Sequence, residues 1–187
     1  LGDLGNDTVA GGVGNDSLLA GGGNDVMDGG TGADTADFSH LDRQTLAANG
    51  VTVDLNVQGT GQTTGHGTDT LIGIENLVGT GYSDVLIGDS NNNWLWGGLG
   101  QPGVTGNDSI SAQGGDDLVV VGNGNHTLDG GSGIDTLSFI GNSVDLTAGV
   151  TVSLSVTAVQ TSGQVSVTLT GFENLSGSTF GDTLSGD

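Results

Sequence analysis

The chain has 187 residues, of which 39 are glycine, with one proline, no cysteine and a single basic side chain, Arg43, against 22 acidic ones. A formal charge of −21 excludes the basic face that phosphate binding needs, and with it nucleic acid as a partner. No apolar run approaches the ~18 residues of a membrane span, and no basic n-region of a signal peptide is visible.

Among the acidic residues only Glu75 and Glu173 are glutamate, a bias toward a short carboxylate held close to the backbone. Low hydrophobicity with high net charge is the signature of disorder, and the chain on its own is expected to lean that way. The apolar residues are nevertheless periodic, which a permanently disordered chain has no reason to be. The absence of cysteine fits a secreted bacterial protein without disulfides and equally a cytosolic one.

The first block, residues 1–37, reads in frames of nine. Gly2-Asp3-Leu4-Gly5-Asn6-Asp7-Thr8-Val9-Ala10 is followed by Gly11-Gly12-Val13-Gly14-Asn15-Asp16-Ser17-Leu18-Leu19. Ala20-Gly21-Gly22-Gly23-Asn24-Asp25-Val26-Met27-Asp28 and Gly29-Gly30-Thr31-Gly32-Ala33-Asp34-Thr35-Ala36-Asp37 complete it. Glycine supplies the tight turn of the first six residues, where φ > 0 costs a residue with a Cβ about 1–2 kcal/mol. The last three residues form a very short strand whose middle side chain, Val9, Leu18, Met27 or Ala36, points inward. One frame cannot bury that side chain; stacked frames can, and stacking brings their Asp-bearing loops into two rows.

A strand spacer follows over residues 38–64. Gln44 to Asn49 has weak helical character, Asn49-Gly50 marks a turn, and residues 51–57 alternate as a half-buried strand. Residues 65–96 carry Gly65-His66-Gly67-Thr68-Asp69, the insert Gly73-Ile74-Glu75-Asn76-Leu77 and degenerate frames at Asp84 and Asn93. The neutral amide of Asn93 suits a weaker site or a structural turn. Trp94 and Trp96 are placed on opposite strand faces, one packing and the other available to a sugar or partner.

Residues 97–138 form the second block, interrupted around Gln101-Pro102-Gly103-Val104-Thr105 by a surface bulge, with Asp108, Asp117, His126 and Asp135 at the sixth positions. A second spacer, residues 139–170, contains two alternating segments. Residues 171–187 repeat the insert as Gly171-Phe172-Glu173-Asn174-Leu175 and the Asp84 frame as Asp182. The chain is a duplicated module that enters and leaves mid-pattern, as a piece of a longer polypeptide would.

These frames resemble the RTX (repeat-in-toxin) nonapeptide, G-G-x-G-x-D-x-U-x with U apolar, over about half of the chain. The resemblance implies an all-β fold, a right-handed parallel β-roll or β-solenoid with two nonapeptides per turn and strand-rich spacers. It also implies Ca²⁺, several ions, between loops one full turn apart, so that Asp7 faces Asp25 and Asp16 faces Asp34. Like charges recurring face to face make sense only with a cation between them, and oxygen-only donors favour calcium over zinc. In the second block Asp117 pairs with Asp135, and Asp108 faces His126, a poor calcium ligand.

The candidate metal ligands are therefore Asp7, Asp16, Asp25, Asp34, Asp108, Asp117 and Asp135, with Asp69, Asp84 and Asp182 as weaker members. Loop carbonyls would come from Gly5, Gly11, Gly12, Gly14, Gly21, Gly23, Gly29, Gly30 and Gly32, and from Gly114, Gly115, Gly130, Gly131 and Gly133.

No enzyme is expected. His40, His66 and His126 are scattered, no G-x-S-x-G occurs, and the carboxylate spacing is dictated by the repeat rather than by glycoside chemistry. The expected function is a calcium-dependent folding and structural module of a secreted or cell-surface bacterial protein, in a surface layer, adhesin or extracellular filament. The alternative is the C-terminal export and folding module of a type I-secreted enzyme or toxin. Its partners would be calcium and neighbouring modules of the same chain or identical subunits; carbohydrate has only Trp94 and Trp96 to recommend it.

Overall fold

Short parallel strands dominate, because three residues are all that each frame has left after its turn. The computed structural model describes residues 2–19, 21–40, 49–98, 104–139 and 146–187. Among these there is no α-helix. Outside the spacers, successive strands alternate between two faces of a parallel β-roll.

One face is a continuous seven-stranded parallel sheet. Its order is Asn174–Ser176, Thr136–Ser138, Leu118–Val120, Trp94–Trp96, Asn76–Val78, Thr35–Asp37 and Ser17–Leu18. The opposite face is broken into pieces. A four-stranded sheet runs Thr8–Val13, Val26–Thr31, Thr68–Ile72 and Gly61–Thr63. A six-stranded sheet runs Gln160–Ser162, Val165–Thr170, Gly124–Asp129, Ser109–Ser111, Val85–Ile87 and Thr52–Asp54, and a parallel pair joins Thr151–Ser153 to Thr183–Ser185.

The register follows the period of two frames per turn. Thr8 pairs with Val26, Ser17 with Thr35, Ser109 with Thr127 and Leu118 with Thr136. Within every turn the middle strand residue points inward, so Leu18, Met27, Ala36, Leu77, Leu86, Leu95, Ile110, Val119, Leu128 and Leu137 form a buried core. Burial of these side chains is the main apolar driving force available to so thin a cross-section.

Both spacers are hairpins wedged between turns on the broken face only. Thr52–Asp54 pairs in parallel with Val85–Ile87, while Gly61–Thr63 pairs antiparallel with Thr68–Ile72. The Thr52 N–H donates to the Thr64 carbonyl at 3.0 Å. Two bonds from one side chain complete the clasp: Asp54 N–H donates to Gln62 Oε1 at 2.8 Å, and Gln62 Nε2 donates to the Asp54 carbonyl at 3.1 Å. The second spacer repeats this with Gln160, which accepts from Ser153 N–H at 2.7 Å and donates to the Ser153 carbonyl at 2.8 Å. These spacer strands end their sheets: Gly61–Thr63 the four-stranded one, Thr52–Asp54 and Gln160–Ser162 the six-stranded one, with Thr151–Ser153 in the parallel pair. Their inward residues, among them Val51, Val53, Leu55, Val150 and Val152, join the same core.

The expected division of Trp94 and Trp96 between opposite faces is overturned. Residues i and i+2 of a strand share a face, so Leu95 between them is the buried one. Their rings stand side by side, centroids 6.0 Å apart and 19° from parallel, along one apolar groove with Leu118 and Val120. The weak helix and most of the bulge expected over Gln44 to Asn49 and Gln101 to Thr105 lie outside the described residues.

Candidate metal centres

Each nonapeptide turn begins with glycines for a reason visible in the fourth frame. Gly30 and Gly32 adopt φ of +96° and +143°. Gly29 lies so close to its neighbours that a Cβ there would sit 2.2 Å from the Gly73 carbonyl and 2.7 Å from Asp34 Oδ2. In the second block Gln113, at φ 76°, stands in the left-handed position that Gly12, Gly21, Gly30 and Gly131 fill in their frames.

The fifth and sixth residues lock neighbouring turns in opposite directions. Asn15 Oδ1 accepts the Ala33 N–H of the next turn at 3.0 Å, and Asn6, Asn24, Asn92 and Asn107 do the same for their successors. The aspartate reaches back. Asp25 Oδ1 accepts the Asp7 N–H at 2.8 Å, Asp34 Oδ1 the Asp16 N–H at 2.8 Å, and Asp135 Oδ1 the Asp117 N–H at 2.8 Å. The aspartates expected to face one another are therefore adjacent, eighteen residues apart.

That bond uses one carboxylate oxygen. The other, Oδ2, is buried without any hydrogen-bond partner at Asp16, Asp25, Asp34, Asp117 and Asp135. A buried carboxylate oxygen without a donor is costly, and here the same atom is orphaned in turn after turn. The space beside it is kept open by glycine: a Cβ on Gly11 would lie 2.8 Å from Asp16 Oδ2. Pairs of carboxylates beside loop carbonyls form an oxygen-only donor set suited to a hard divalent cation such as calcium. Among the described residues no three acidic or imidazole side chains converge, so any such ion would be held by two carboxylates and the backbone.

Electrostatics agree. Burial pushes the Asp117 carboxyl up to about 6; the Asn93 N–H works against this, and the facing Asp135 charge adds to it. Burial likewise raises Asp25, with the Asp7 N–H opposing and the Asp7 charge adding. Asp135 is raised by burial too, against the Asp117 N–H and with the charge of Glu173. A cation between the rows would remove the cost of ionising them.

Elsewhere the protein supplies its own donors. Asp69 Oδ2 accepts the Thr64 hydroxyl at 2.5 Å and its Oδ1 the Asp25 N–H at 2.9 Å. Asp84 accepts from Val51 N–H and from both the N–H and hydroxyl of Thr80. Asp182 is held the same way by Val150 and Ser178. Asn93 Nδ2 donates to the Glu75 carbonyl at 2.7 Å. At Asp108 the neighbour is His126, with Nδ1 3.1 Å from Asp108 Oδ2 and both side chains buried.

Sequence reasoning passed over the two glutamates. Glu75 Oε2 accepts the Asp34 N–H at 2.8 Å and Glu173 Oε2 the Asp135 N–H at 2.7 Å. The signal available was their uniqueness: the only glutamates of the chain sit in the duplicated G-x-E-N-L insert.

A family model of the RTX calcium-binding nonapeptide repeat matches residues 1–36, 69–101 and 102–137, in 4 copies. No curated protein matches the chain.

Proposed function

This chain belongs to the RTX calcium-binding nonapeptide repeat family, and from that premise we propose that it is a calcium-dependent folding module and structural spacer of a secreted or cell-surface bacterial protein. Asp7, Asp16, Asp25, Asp34, Asp117 and Asp135 hold the ions, together with loop carbonyls of their glycine turns. Bound calcium supplies the positive charge that lets facing carboxylates stay ionised at close range. Asp69, Asp84 and Asp182 serve as turn caps, and at Asp108 the imidazole of His126 occupies the cation's place.

The observation that carries this reading is the recurrence of a buried, unpartnered Oδ2 in five frame aspartates. Without a cation these loops repel and the small core does not offset the entropy of ordering the chain. With one, metal binding free energy becomes folding free energy. Extracellular modules bind near 10⁻⁴–10⁻³ M, so the chain stays unfolded in a calcium-poor cytosol and folds outside the cell. The single basic residue of the chain and its long strand-rich spacers favour the spacer role over an export tail.

Circular dichroism during a calcium titration, with magnesium as control, tests the proposal. A cooperative gain of β signal with calcium alone is expected. Full β signal in chelator, or an equal response to magnesium, defeats it.

A further inference from the structure

Glu75 and Glu173 occupy the same place in the two halves. Each follows a spacer, and each ends a row of carboxylates: Asp16, Asp34, Glu75 in one half and Asp117, Asp135, Glu173 in the other. The step between members is constant. Asp16 N–H donates to Asp34 and Asp117 N–H to Asp135, both at 2.8 Å. Asp34 N–H then donates to Glu75 at 2.8 Å and Asp135 N–H to Glu173 at 2.7 Å. The glutamates thus make the bond that an aspartate makes one turn earlier, but across 41 and 38 residues rather than eighteen.

The extra methylene has a geometric reason. Asp28 and Ile72 are paired in register, yet five residues separate Asp28 from Asp34 and only Gly73 and Ile74 separate Ile72 from Glu75. The corner is shallower, so the carboxylate has farther to reach. Below it, Asp34 and Asp135 are fully buried, and each has an Oδ2 without a partner. The insert also brings a carbonyl: the point a Gly29 Cβ would occupy is 2.2 Å from Gly73 O and 2.7 Å from Asp34 Oδ2. In the second half a Gly130 Cβ would lie 2.0 Å from Gly171 O and 2.8 Å from Asp135 Cβ. Oε2 of each glutamate takes the backbone bond; Glu75 is half-buried and Glu173 exposed, so Oε1 lies nearer solvent than the buried Oδ2 of the frame aspartates.

We propose that Glu75 and Glu173 are calcium ligands that close, with Asp34 and Asp135, the last site of each row. This rests on the calcium reading above and extends it to residues outside the nonapeptide pattern. Each closing site joins a repeat block to the chain beyond its spacer, so occupying it requires the wedged hairpin to be in place. Calcium thereby couples the folding of block and spacer.

The test uses the whole 187-residue chain and calcium itself. Bound ions are counted by equilibrium dialysis, and the calcium midpoint of folding is followed by circular dichroism, for wild type, Glu75→Gln, Glu173→Gln and the double variant. Glutamine retains an oxygen to accept the Asp34 or Asp135 N–H, so a glutamate that merely caps the turn is replaced without consequence. Asp28→Asn, in the Val26–Thr31 strand and outside the Asp16, Asp34, Glu75 row, controls for the loss of one charge. The expected result is about one ion fewer per substituted glutamate, or a folding midpoint raised at least about tenfold, as for loss of a ligand or its support, with Asp28→Asn near wild type. Unchanged ion counts and midpoints in the double variant, or equal shifts in Asp28→Asn, overturn the inference while leaving the calcium reading intact. Wild type that binds no calcium sinks the earlier reading instead.

Discussion

At the scale of single residues, the frame works because glycine and aspartate compete for the same small volume. Gly29→Ala would drive a methyl group into the Gly73 carbonyl and Asp34 Oδ2. Overpacking of this kind costs about 1–3 kcal/mol, so this variant should unfold at lower urea in saturating calcium and need more calcium to fold. His126 is the converse case, an imidazole where the frame elsewhere has a carboxylate. His126→Asp restores the facing pair with Asp108 and should add about one bound ion, counted by dialysis, while making the chelated chain less ordered.

Protonation offers the metal-free chain a second way to relieve its charges. Burial pushes Asp84 up to about 7, with the Val51 bond opposing and the Asp108 charge adding, and pushes Asp117 up to about 6. An unfolded aspartate titrates near 3.9, so between about pH 4 and 7 the folded state binds more protons and loses stability as pH rises. In chelator, the β signal should therefore be larger at pH 5 than at pH 7.5. In saturating calcium the order should reverse, because protons then compete with the ion for Asp117.

At the scale of elements, three-residue strands have little to hold them except their neighbours, and the wedged hairpins have even less. Gln62 and Gln160 compensate by imitating a peptide group, each accepting one backbone N–H and donating to the carbonyl of the same residue. Two hydrogen bonds contribute about 1–3 kcal/mol in total. Gln62→Ala should lose about that much in urea unfolding. Gln62→Glu should lose a comparable amount, since one of its oxygens would face the Asp54 carbonyl in place of a donor. Although Gly61–Thr63 falls in a stretch that reads as a loop, the strands Thr52–Asp54 and Thr151–Ser153, shorter than their alternating stretches, were readable in advance. Their partner was not, because alternation fixes which side chains face inward and says nothing of where the strand is inserted.

At the scale of the whole molecule, the two faces differ in construction. One sheet runs through seven strands without interruption, while the other face takes in both hairpins. Every strand pair but the two hairpin pairs is parallel, so the ladder propagates turn by turn and acidic loops stack along its length. Removing calcium acts on all of them together. Small-angle scattering in chelator should approach a radius of gyration of about 46 Å, that of an unfolded chain of this length, and fall to about half of that or less with calcium. A chelated chain as compact as the calcium-loaded one would mean that the core alone suffices.

The period of nine and the inward residue of each strand were legible in the local pattern, because they depend only on turn geometry and strand alternation. The facing of Asp7 with Asp25 and Asp16 with Asp34 needed in addition the two frames per turn that the family resemblance implied. What required the tertiary structure lies where the pattern breaks. The join of Glu75 to Asp34 spans a spacer, the clasp of Gln62 bridges two strands, and Asp69, Asp84 and Asp182 each accept an N–H from a residue 44, 33 and 32 positions away. Such contacts depend on which distant segments the roll brings together. A repeat determines its own neighbour, but an interruption finds its place only when the turns on either side have closed around it.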